Sequence, residues 1–126
     1  MSWTNAEAKA EDRLIKAFGD CGIEHYFRDF ADDSDIQGLS YIMVYVVGTD
    51  NTSDNADNDR IAFDVNFTIY LGTTDVPTSD ECRAKREKLE NAVHDSGFIV
   101  RFTKSGFDPD TKLYVFEYSV KTKETA

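Results

Sequence analysis

The sequence predicts an α+β fold: a four- to five-stranded, mainly antiparallel sheet with two helices packed on one face. Three observations predict it. Two segments, roughly 5–21 and 79–96, carry apolar residues at three- and four-residue spacing. The segments 39–47, 61–71 and 98–122 carry strand patterns. The order is helix, weak strand, strand, strand, helix, strand, strand, which is too irregular for a doubly wound parallel sheet. At 126 residues the chain reads as one domain, 1–126, able to bury roughly two-thirds of the surface its unfolded form exposes.

The first helix opens on a capping box, Thr4 to Glu7, and its stripe is Ala10, Leu14, Ala17, Phe18 and Cys21. Gly22 supplies the stop. "IEHYFRDF", 23–30, reads as a short strand, and "ADDSDIQG" after it as a polar break. "LSYIMVYVV", 39–47, is apolar on both faces, as in a covered strand or one that meets another subunit. "IAFDVNFTIYLG" alternates cleanly: Ile61, Phe63, Val65, Phe67, Ile69 and Leu71 face the core, and the intervening residues face water. The two strands form a hairpin over 39–71, with an acidic tip at 48–60. A second box, Thr78 to Glu81, opens the other helix. Its stripe is Cys82, Leu89, Ala92 and Val93, with Arg86 on the same side, and Gly97 ends it. "FIVRFT" and "KLYVFEYSVKT" are strands joined by a turn at "KSGFDPD", and the tail "KTKETA" frays.

The formal charge is -10 and is unevenly placed. Residues 1–35 hold four Lys/Arg and nine Asp/Glu, and 36–78 hold one Arg and six Asp, a net of -5 each. Residues 79–126 hold nine of each sign. Such a chain is a poor non-specific nucleic-acid binder, since phosphate binding needs Lys and Arg to displace counterions. It suits a surface that repels nucleic acid, or a basic protein partner. The longest apolar run, 41–47, is far short of a membrane span, so no membrane partner is expected. The start lacks a basic n-region followed by an apolar h-region, so no signal peptide is visible. Cys21 and Cys82 form no CxxC and read as reduced thiols packed like small apolar groups.

The acidic tip invites a metal reading. Asn55, Asp57 and Asp59 alternate like the first ligands of a calcium loop. Arg60 follows where the turn glycine belongs, and Asn66 stands where the bidentate Glu is needed, so a solvated tip or a partner-binding loop fits better. Cys21, His25, Cys82 and His94 have no zinc-like spacing. No G-x-S-x-G and no glycine-rich phosphate loop occurs. The expectation is a non-enzyme with no cofactor and no metal. "LYVFEYSV" places Tyr114, Phe116, Tyr118 and Val120 on one face, with Leu113 and Val115 on the other. With 41–47, this is more apolar strand surface than two short helices cover, which points to oligomerisation. The candidate oligomer or docking residues are Tyr41, Met43, Tyr45, Asp50, Asp54, Asp57, Asp59 and Arg60.

Over roughly 39–120 the order resembles the tail terminator and neck proteins of long-tailed bacteriophages. The matching features are "YIMVYVV", a polar loop with "NADND", a strand ending "FTIYLGTTD", the helix "DECRAKREKLENAV", a short "GF" and paired C-terminal strands. Ala56-Asp57-Asn58 matches the Ala-Asp-Asn-like step before the strand in that group, and Tyr70-Leu71-Gly72-Thr73 its "LYT"-like end. The resemblance implies a structural protein of the virion tail or neck. It forms a ring, commonly a hexamer, that caps the tail tube and joins it to the head. Its partners would be itself, the tail tube protein and a neighbouring neck protein, with DNA only as passing cargo. Two alternatives remain. One is another neck or head-completion protein of the same virion. The other is an acidic monomeric inhibitor of the immunity type, using 48–60 and Asp32 to Asp35 against a basic partner.

Overall fold

The computed structural model describes residues 3–50 and 62–125. It is an α+β fold in which a five-stranded, mostly antiparallel sheet carries two long helices on one face. The elements are α1 (Trp3–Asp20), β1 (His25–Arg28), α2 (Asp33–Ile36), β2 (Ile42–Asp50), β3 (Ala62–Thr73), α3 (Asp80–Asp95), β4 (Ile99–Asp108) and β5 (Leu113–Thr125). The sheet order is β1-β2-β3-β5-β4. Only β1 with β2 is parallel, so the sheet is mixed.

Helix α1 buries Ala6, Ala10, Leu14, Ala17 and Phe18, the stripe its spacing predicts. Thr4 lies inside the helix rather than at its N-cap, so the first capping box does not open it. Gly22 has φ +83, and the Ile23 N–H reaches back to the Phe18 carbonyl at 2.9 Å, the six-residue closure of a helix end. Helix α3 buries Cys82, Leu89 and Val93. Its N-cap is Ser79, not Thr78, and the Ser79 hydroxyl accepts from the Cys82 N–H at 3.1 Å. Gly97, with φ +94, follows it.

The hairpin of β2 and β3 is antiparallel from Ile42↔Gly72 to Asp50↔Asp64. Strand β2 starts three residues later than the pattern predicts, because Tyr41 takes φ +70 before it. A left-handed backbone is uncommon for a bulky side chain. Three contacts hold it. The Tyr41 hydroxyl lies 3.2 Å from the Cys21 carbonyl and 3.4 Å from that of Lys85, and the Lys85 ammonium sits 5.2 Å from the ring centre.

Strand β3 buries Phe63, Val65, Phe67, Ile69 and Leu71 as expected. Its other face is not simply wet: Asp64 is buried, and Asn66, Thr68 and Tyr70 are half-buried. As the middle strand, β3 has neighbours on both sides, whose side chains shield that row.

Three further expectations change. The polar break at 31–38 contains the short helix α2, where the Asp32 N–H donates to the Asp35 carboxylate at 3.4 Å. Strand β4 continues through Ser105 and Gly106 to Asp108, so the turn is only 109–112. There Asp108 accepts from the Thr111 hydroxyl and from the Asp110 and Lys112 N–H groups. The tail does not fray at Lys121. Strand β5 pairs with β3 as far as Ala62↔Thr125, and the twelve-residue length of β3 supplies the partner.

Candidate functional site

Strand pairing sorts the side chains into two faces. Met43 and Tyr45, with Phe116, Tyr118, Val120 and the buried row of β3, lie on the face that α1 and α3 cover. Directly paired residues share a face, so the opposite face can be read across the sheet. Phe27 pairs with Val44, Val44 with Tyr70, Tyr70 with Glu117, and Glu117 with Lys104. This row takes one residue from each strand. Val46, Thr68, Ser119 and Arg101 form the next row. Phe27, Val44, Tyr70 and Val115 are half-buried, and Val46 is 39% exposed.

At one end of this open face Ile42 and Leu113 are buried outside the main core and meet over Gly72. A Cβ on Gly72 would lie 2.9 Å from Ile42 Cγ1 and 3.3 Å from Leu113 Cδ1, so the glycine makes room for both. Beside them Tyr70, Val115, Lys104, Gly106 and Phe107 line a shallow depression of about 460 Å³.

Each sheet edge is bordered by exposed apolar groups. Ile99 and Phe107 on β4 are 69% and 53% exposed, and Phe102 is also exposed. Tyr26 on β1 and Phe30 just after it are exposed at the other edge, Phe30 at 72%. A register shift between Phe102 and Lys104 puts a bulge in β4.

The placement of the sequence-predicted residues is mixed. Met43 and Tyr45 are buried on the helix-covered face, and the Tyr45 hydroxyl donates to Glu11 at 2.8 Å, so neither can meet a second chain. Alternation turns Val44 and Val46 outward instead. The signal was present in the sequence, since 41–47 is apolar at every position, but the pattern alone does not say which face the helices take. Tyr41 is half-buried against the end of α1 and α3. Asp50 closes β2. Asp54, Asp57, Asp59 and Arg60 lie outside the described residues, as does most of the acidic tip.

The polar clusters on the helix side are structural in geometry. Arg86 lies 4.8 Å from the ring centre of Phe102 and 4.6 Å from that of Phe116. Its Nε donates to the Tyr118 hydroxyl at 3.0 Å, and Tyr118 donates to Glu90. Burial pushes the Tyr118 phenol well above its ordinary value. Lys85 pairs with Asp75 at 2.7 Å, and that hydrogen bond holds the Asp75 carboxyl below its ordinary value. Burial pushes both cysteine thiols up, the opposite of what an activated nucleophile requires. The described residues contain no group of three or more His, Cys, Asp or Glu able to hold a metal. Among the described residues no helix is long and apolar enough to cross a membrane.

Among the described residues, the uncovered sheet face and the two edges are where apolar side chains reach solvent. No protein-family model matches the chain, and no curated protein matches it.

Proposed function

We propose that this chain is a non-enzymatic structural subunit of a long-tailed phage, of the tail terminator kind. Copies assemble into a ring, commonly a hexamer, that caps the tail tube and joins it to the head. One observation carries the reading: helices cover one sheet face, while the other face and both edges keep apolar side chains in solvent. Apolar side chains gathered in solvent along one face and its edges support an interaction site there. The net charge of -10 supports the same reading, because a negative lumen lets DNA pass without holding its phosphates. In this reading the tail tube protein and a neighbouring neck protein are the other partners, and the acidic tip at 48–60 is an arm that docks to one of them.

The test is the mass of the purified full chain by light scattering, with negative-stain imaging. The expected result is a species near six subunits and rings with a central pore. A strict monomer up to high micromolar concentration overturns the ring. If such a monomer bound a basic protein with an affinity falling steeply with salt, the acidic-inhibitor reading would take its place.

A further inference from the structure

From the two sheet edges we infer how copies of this chain meet: the β4 edge of one adds to the β1 edge of the next. The inference rests on the ring reading above and names its contact. Among the described residues both edges are open, since β1 and β4 each have a strand on one side only. Of the eight exposed large hydrophobic residues among those described, five lie on or beside these two strands. They are Tyr26 and Phe30 at one edge, and Ile99, Phe102 and Phe107 at the other.

Charge then selects the pairing. Strand β4, Ile99–Asp108, carries Arg101 and Lys104 against Asp108 at its far end, a net of +1. Residues 24–35 carry Glu24, Asp29, Asp32, Asp33 and Asp35 against Arg28 alone, a net of -4. A β4–β4 contact would set Arg101 and Lys104 against their own copies, and a β1–β1 contact would set acid against acid. Like charges facing each other across a strand pair are destabilising, so both symmetric dimers are disfavoured. Only β4 against β1 joins opposite signs.

Direction agrees. Strand β5 is antiparallel to both β3 and β4, so β4 runs with β3. Strand β1 runs with β2, which opposes β3. When the sheet continues from one copy to the next with its faces aligned, β4 meets β1 antiparallel. Such a head-to-tail contact uses different surfaces on the two partners, and it closes into a ring when the rotation allows. Closure leaves no free edge.

Lysines and bulges also protect edges against chance pairing, and β4 has both. Protection alone does not explain the exposed Ile99 and Phe107 on the same strand. Charges that refuse another β4 while accepting an acidic edge account for both features. Because β1 is only four residues long, the shared ladder is short, and the flanking aromatics and charges carry much of the contact.

The experiment uses two variants of the full chain, each checked for native circular dichroism. One is R101E/K104E, which makes both edges acidic. The other is E24K/D33K/D35K, which takes residues 24–35 from a net of -4 to +2, so that both edges are basic, and leaves Asp29, with its φ of +67, untouched. Each variant alone should need a more than roughly tenfold higher concentration to assemble than the parent. An equimolar mixture should regain the parent mass, because each contact again joins opposite signs. If R101E/K104E does not fold, R101Q/K104Q replaces it. A parent ring that survives in either variant overturns the edge contact and leaves the ring reading standing. Variants that stay apart when mixed overturn the pairing as well. A monomeric parent overturns both.

Discussion

Arg13 on α1 and Glu124 on β5 form an ion pair across 111 positions of sequence. The same guanidinium donates to the Thr122 hydroxyl at 3.2 Å and to the Ser96 carbonyl at 2.7 Å, and it lies 4.9 Å from the Phe98 ring centre. One side chain thus ties the first helix, the end of α3 and the last strand together. Arg13→Met should lower stability by about 1–2 kcal/mol, because partial exposure screens the charge but the Ser96 carbonyl loses its donor. Urea unfolding checks this. Deleting 122–126 should have a larger effect, since it also removes ladder pairs with β3.

Gly72 is required by packing, not by backbone conformation. Gly72→Ala should destabilise by about 1–3 kcal/mol, because the new methyl enters the space of Ile42 and Leu113. Ile42→Ala removes most of that obstruction. The double variant should therefore lose less than the sum of the two single losses, as a double-mutant cycle would measure.

Three phenols stand above their ordinary value, Tyr41, Tyr45 and Tyr118, with burial the largest cause in each. The native state holds these protons more tightly than the unfolded chain does. Their contribution is complete below about pH 10 and is lost as pH rises past it. Chemical-denaturant midpoints should fall steeply above that pH. Tyr118→Phe should cost about 1 kcal/mol at neutral pH and make the alkaline fall shallower.

Asp75 behaves in the opposite sense. Lys85 holds its carboxyl low, so its contribution is present above the ordinary value of 3.8 and disappears as pH falls below it. Asp75→Asn should cost below about 1 kcal/mol at pH 7, where the half-exposed pair is partly screened. The parent and the variant should converge in stability once the pH has fallen below the lowered value of the Asp75 carboxyl. A difference that persisted there would assign the effect to the Thr73 hydroxyl contact instead.

The local periodicities determined much of this protein. Leu14, Ala17 and Phe18 recur at helical spacing, and Phe63 to Leu71 alternate, so each buried face follows from the side chains themselves. The glycines at 22 and 97 mark helix ends because they take a left-handed backbone. The class of fold and the surplus of apolar strand surface were legible from the same patterns.

What the tertiary structure decided is which neighbour each strand takes. The parallel seating of His25–Arg28 beside β2 comes from contacts distant in sequence, and so does the extension of β5 to Thr125. So does the choice that buries Met43 and Tyr45 while leaving Val44 and Val46 outside. An all-apolar strand fits either face, and only the docking of α1 breaks the tie. For that reason the candidate surface moved from Met43 and Tyr45 to the opposite face and the two edges.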